Sequence, residues 1–143
     1  MKAEKQFAEI RDLILKARAR AFQSVNRELI NLYWEIGQYI SGKVNSSEWG
    51  KKVVQNLADY LKLEEPGLKG FSNYNLWRMR RFYETYKKNE IVSAVLTELT
   101  WTNHLLILGK AKSDKEREFY IQLCIKEKYS SRELERQIDS GLF

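Results

Sequence analysis

The chain has 143 residues, 25 Lys and Arg against 19 Asp and Glu, and a formal net charge of +6. That length suits a single domain able to bury roughly 68–70% of its unfolded surface. One cysteine excludes an internal disulfide framework or thiolate zinc cluster, one histidine excludes a histidine-rich metal site within one copy, and 43% apolar residues exclude disorder. No long uncharged apolar run offers a membrane span, and Met1 to Lys5 lacks the apolar core of a signal peptide. A cytoplasmic location is therefore expected, with no membrane partner.

A single proline and seven glycines leave long stretches free for helix. From Phe7 the apolar positions run Ile10, Ile14, Ala17, Ala21, Val25, Leu29, Leu32, Ile36 and Ile40, in steps of three or four. This spacing predicts one amphipathic helix over about residues 4–41, with Gly37 as the place for a bend and Gly42 as the stop. So long a helix exceeds what a core of this size requires. It is expected to pair with a second copy or to project as an arm.

The next helix begins near Trp49-Gly50 and carries Val53, Val54, Leu57, Tyr60 and Leu61. The run from Glu64 to Gly70, with Pro66 and two glycines, breaks it. Ser72 is placed to cap a further helix through Leu76, Met79, Phe82, Tyr83 and Tyr86. Residues 91–100 fit either a helix or a short strand. Thr100 opens a helix from Trp101 that Gly109 ends, and Ser113/Glu116 and Ser130/Glu133 have capping-box spacing before two more. The expected fold is all-α: a long N-terminal helix, a helix-turn-helix-like region at about 49–88 and C-terminal helices over about 101–139.

Chemistry concentrates between Lys69 and Lys88. Six bases, Lys69, Arg78, Arg80, Arg81, Lys87 and Lys88, stand against the single acid Glu84, so six minus one gives +5 within twenty residues. At 100° per residue Asn73, Trp77, Arg80, Arg81 and Lys88 are expected near one polar face. Arg bonds phosphates bidentately and Asn reads adenine, so this pattern fits either a nucleic acid as the partner or a solvated helix face that happens to be basic. Arg78, Arg80, Arg81 and Lys87 are the candidate phosphate contacts. Asn73 and Asn75 are either caps or contacts to bases and backbone.

Other polar groups read as structural. Lys16, Arg20 and Arg27 share a side of the first helix among Glu9, Asp12 and Glu28, a mixed solvated surface. The second helix pair, residues 113–139, balances its charges and suits a structural or docking role. His104 beside Asn103 has no neighbour spaced to make it a general base, and Cys124 between Leu123 and Ile125 reads as a buried thiol. No catalytic residues, metal ligands or cofactor site are expected.

Taken in order, several motifs carry a resemblance. They are Tyr33-Trp34-x-Ile36-Gly37, Trp49-Gly50, Gly70-Phe71-Ser72, Asn75-Leu76, Met79-Arg80 and Phe82-Tyr83. Leu99-Thr100-Trp101-Thr102-Asn103-His104, Arg117-x-Phe119-Tyr120 and Ser130-x-Arg132-Glu133-Leu134-x-x-Gln137-Ile138 follow. Across roughly residues 10–143 the chain resembles the N-terminal domain of the YhcG-like bacterial family. Asn103 stands where that family commonly has the first of two polar residues as His, and Tyr129 where Trp is frequent. The resemblance implies a helical, DNA-associated domain that precedes a nuclease domain of the PD-(D/E)XK superfamily. Cleavage would then belong to that C-terminal nuclease domain, beyond residue 143 of a longer protein, or this is a free-standing copy of the helical domain. The alternative is a protein-interaction module or homodimer built on the long N-terminal helix.

Overall fold

The computed structural model describes residues 2–143, with side chains from residue 4 onward. Seven α-helices follow one another: α1 Lys2–Asn45, α2 Lys51–Glu64, α3 Asn73–Tyr86, α4 Glu90–Ser93, α5 Trp101–Lys110, α6 Asp114–Glu127 and α7 Ser131–Asp139. No strand occurs among the described residues. The ambiguous stretch 91–100 resolves into α4 and a 3-10 turn at Leu96–Glu98, which bury Val92, Leu96 and Leu99. Two short helical turns satisfy its backbone locally, so its β-branched residues need no strand partner.

Helix α3 is the centre of the domain. It packs against α1 and α2 and touches α4 and α5, while α5 packs on α6 and α7. Leu76, Met79 and Phe82 on α3 are fully buried and Tyr86 nearly so, as the spacing predicts. Phe82 gathers the aromatic core edge-on: Trp34 at 5.7 Å, Trp101 at 5.2 Å and Tyr86 at 5.6 Å between ring centroids.

Local sequence sets the helix starts as expected. Ser72, Thr100, Ser113 and Ser130 each accept a hydrogen bond from the backbone N–H three residues on, at 3.1 to 3.2 Å. The expected capping boxes are incomplete. Glu116 accepts from the backbone of Lys112 rather than Ser113, and Glu133 turns instead to Arg136 and Gln137.

Helix stops are less legible. Glycine at 42 and at 109 does not end its helix: α1 continues to Asn45 and α5 to Lys110. An added Cβ at either glycine would meet nothing within 4 Å, so neither serves a cap or a close contact. Gly37 is no break either. It is the point where α1 crosses α3, for a Cβ there would lie 2.1 Å from the Met79 carbonyl oxygen.

The core face of α1 coincides with the expected stripe only at its end, where Ile40 is buried and Ile36 packs against the core. Ile30, Tyr33, Gly37, Ile40 and Ser41 face the domain, whereas Leu29 and Leu32 stay 40% exposed. At 100° per residue the covered face lies about 110° around the helix from the stripe that begins at Phe7. Trp34 and Tyr33 explain the choice. Their rings reach Phe82, Tyr83, Phe71 and Trp101, a larger aromatic contact than the aliphatic stripe could make. From Glu4 to Val25 every residue except Ala8 is exposed, so the first half of α1 is an arm.

Candidate nucleic-acid interface

The basic segment of α3 divides into two groups. Tyr74 and Arg81 are exposed and Arg78 half-buried at helical spacing, with Lys87 and Lys88 exposed just past the end of the helix. The Arg78 guanidinium lies 4.0 Å from the centroid of the Tyr74 ring, an i, i+4 stack that holds it flat against the surface. Arg81 remains exposed while its Nη2 donates to the Leu108 carbonyl at 2.6 Å. That oxygen belongs to the last turn of α5, where the helix dipole is negative. Lys87 lies 3.0 Å from Glu84 and 5.6 Å from the Tyr83 ring.

Arg80 belongs to the other group. Its Nη2 donates to Asn45 Oδ1 at 2.9 Å, its guanidinium covers Trp77 at 5.6 Å, and its Nε is buried without a partner. The same corner holds Glu84, which accepts hydrogen bonds from Ser41, Lys87 and Asn45. The Ser41 hydroxyl, then Lys87 and Asn45, hold its carboxyl down at about 2. This acid, the only one in the basic segment, fastens the end of α1 to α3. The sequence marked it only as an exception to the charge pattern.

The two asparagines turn inward. The Asn75 amide donates to the Gly70 carbonyl, and its Oδ1 accepts from Trp101 Nε1 at 3.1 Å. Both ends of the side chain are thus committed to joining the α2–α3 loop to α5. Gly70 sits at φ +89°, a conformation that suits glycine, and Asn75 secures it. Asn73 is half-buried, with its Oδ1 shielded from solvent. The expected polar face of Asn73, Trp77, Arg80, Arg81 and Lys88 is therefore not one face, because α1 and α2 cover part of it. Asn75→Ala is expected to cost about 1–2 kcal/mol in urea unfolding, since it leaves the half-buried Trp101 indole N–H unpaired and releases the exposed Gly70 carbonyl.

The remaining polar residues are also tied into the fold. Asn103 donates to the Tyr129 carbonyl at 3.2 Å and accepts from Ser131 Oγ at 2.7 Å, which joins α5 to the α6–α7 turn. His104 is wholly buried beside Phe82, at 4.8 Å between centroids, and its Nε2 lies 2.7 Å from the Leu96 carbonyl. Burial lowers its pKa to about 4, so the ring is neutral and Nε2–H is the donor. Cys124 is buried and its thiol is pushed up to about 11, the opposite of an activated nucleophile. Among the described residues no three His, Cys, Asp or Glu side chains gather as a metal site would require. No helix there is long and apolar enough to cross a membrane.

Residues 9–143 match the DUF1016 N-terminal domain, nearly the whole chain. The chain belongs to the DUF1016 N-terminal domain family. This agrees with the YhcG-like resemblance of the ordered motifs. Neither a curated protein nor a solved structure gives a significant match. The DUF1016 motifs also acquire physical roles here: Gly37 is the helix crossing, Ser72 the cap of α3, Asn75 the loop clamp, and Thr100 and Asn103 the fixings of α5.

Proposed function

We propose that this DUF1016 N-terminal domain is a non-catalytic module that docks on DNA through the outward face of α3. The observation that carries this reading is the grouping of exposed Arg81, Lys87 and Lys88 with half-buried Arg78 along α3 and just past its end, on a chain of net charge +6. Glu84, the one acid within α3, is turned toward Ser41 and Asn45 and paired with Lys87. Phosphate oxygens suit this surface better than base edges do, because Asn75 is spent on the fold and the Asn73 oxygen is buried. Binding is thus expected to depend on salt far more than on sequence. A nuclease domain following this one, as the family resemblance implies, would supply the cleavage chemistry.

Neutralising about four phosphates should make log K fall with log salt at a slope near about −3.6. Titration of duplex DNA at two salt concentrations measures it. Arg78→Gln/Arg81→Gln is expected to reduce the slope by about 2, whereas Arg80→Gln should leave it unchanged. Salt-insensitive affinity, or a double variant that binds as the parent does, would sink the reading.

A second reading, an interaction module working through α1, is favoured by a separate observation: the apolar stripe of the arm is uncovered. It does not compete for the α3 surface.

A further inference from the structure

We propose that two copies of this chain associate through α1, the arm of each protomer lying antiparallel along the apolar stripe of the other. This interface stands apart from the DNA-docking face and does not depend on it.

The stripe is unusually large for a free surface. Phe7 is 69% exposed, Ile10 57%, Ile14 54% and Val25 59%, and Leu29 and Leu32 carry the stripe onto the domain body. With Leu13 alongside, these side chains expose on the order of 700 Å², above the roughly 300–600 Å² of the largest patch on a typical monomer. The arm also lacks any packing of its own. From Glu4 to Val25 it extends about 33 Å from the body, and in proteins most helical stability comes from the packing of an amphipathic face. A partner helix supplies that cover.

Charge and size select the partner and its direction. Residues 2–12 hold three acids, Glu4, Glu9 and Asp12, against three bases, Lys2, Lys5 and Arg11. Residues 13–27 hold Lys16, Arg18, Arg20 and Arg27 and no acid. A parallel pair would stack the two basic stretches side by side. An antiparallel pair lays the charge-balanced end of one arm along the basic stretch of the other, which lowers the repulsion. The same direction sets Ile10 of one protomer opposite Ala21 of its partner and Ile14 opposite Ala17. Large residues then face small ones in both halves of the pair, the condition for close interdigitation.

Sedimentation equilibrium on the full chain without DNA tests the association. The parent is expected at twice the 17.0 kDa chain mass, and Ile10→Glu/Ile14→Glu at the single mass. Both positions are exposed within one protomer, so the variant should keep its near-ultraviolet circular dichroism. A spin label at Lys5→Cys reports direction: about 30 Å between labels for the antiparallel pair, about 10 Å for a parallel one. A monomeric parent at micromolar concentration overturns the proposal, whether or not its arm binds anionic vesicles instead. So does a dimer that survives the double variant, or a label distance near the shorter value. Loss of DNA binding leaves these measurements untouched, so the two surfaces fail separately.

Discussion

Gly37→Ala is expected to destabilise the domain by about 3 kcal/mol or more, the top of the range for overpacking a core. The added methyl would stand 2.1 Å from the Met79 carbonyl oxygen and 2.7 Å from its carbon. Those atoms are backbone of α3 and cannot swing aside as a side-chain end would. The two helices would have to part, and Ile30, Tyr33 and Ile40 on one side and Leu76, Met79 and Phe82 on the other would lose contact together. Gly42→Ala is the control. It lies in the same helix with nothing near its Cβ, so the exchange should stabilise by about 0.5–1 kcal/mol through helix propensity. Urea unfolding of the two variants beside the parent should give opposite signs. Equal effects at both positions would mean that α1 and α3 do not cross at Gly37.

Acid should weaken the domain well before its carboxylates titrate. His104 has a folded pKa of about 4 against an ordinary value of 6.5, because the ring is buried beside Phe82 and Tyr86. The unfolded chain therefore binds the proton more readily. Stability is complete above about pH 6.5 and is lost as pH falls from there toward about 4. From about pH 7.5 to about pH 5 the expected loss is about 2 kcal/mol, read from urea midpoints at the two values. Glu84 acts in a lower window. Its pKa is held near 2, so its contribution is present above about 4.5 and lost below that. A His104→Gln variant should be weaker at neutral pH yet nearly flat over the same interval. Unchanged parent stability between the two values would refute the neutral, buried imidazole.

The candidate interface was legible in composition and spacing but not in detail. Six bases against one acid between Lys69 and Lys88 located the helix, and the period of Leu76, Met79 and Phe82 gave its buried side. Which partners the arginines take in the rest of the fold could not follow from α3 alone. Arg80 is claimed by Asn45, thirty-five positions earlier, and Asn75 by Trp101, twenty-six positions later. Spacing within one helix is silent about such partners. The Tyr74–Arg78 stack, by contrast, is an i, i+4 pair that the sequence displays openly.

Local physics was enough for the helical class, the caps at Ser72, Thr100, Ser113 and Ser130, and the neutral structural roles of His104 and Cys124. Each depends on groups within a few residues or on burial that apolar neighbours announce. Tertiary structure alone decided which side of α1 faces the domain. The helix carries two apolar faces about 110° apart, and periodicity marks both without ranking them. Trp34, Tyr33 and the absence of a side chain at Gly37 gave one face a closer fit to α3. The regular stripe from Phe7 to Leu32, the stronger signal in the sequence, was thereby left in solvent.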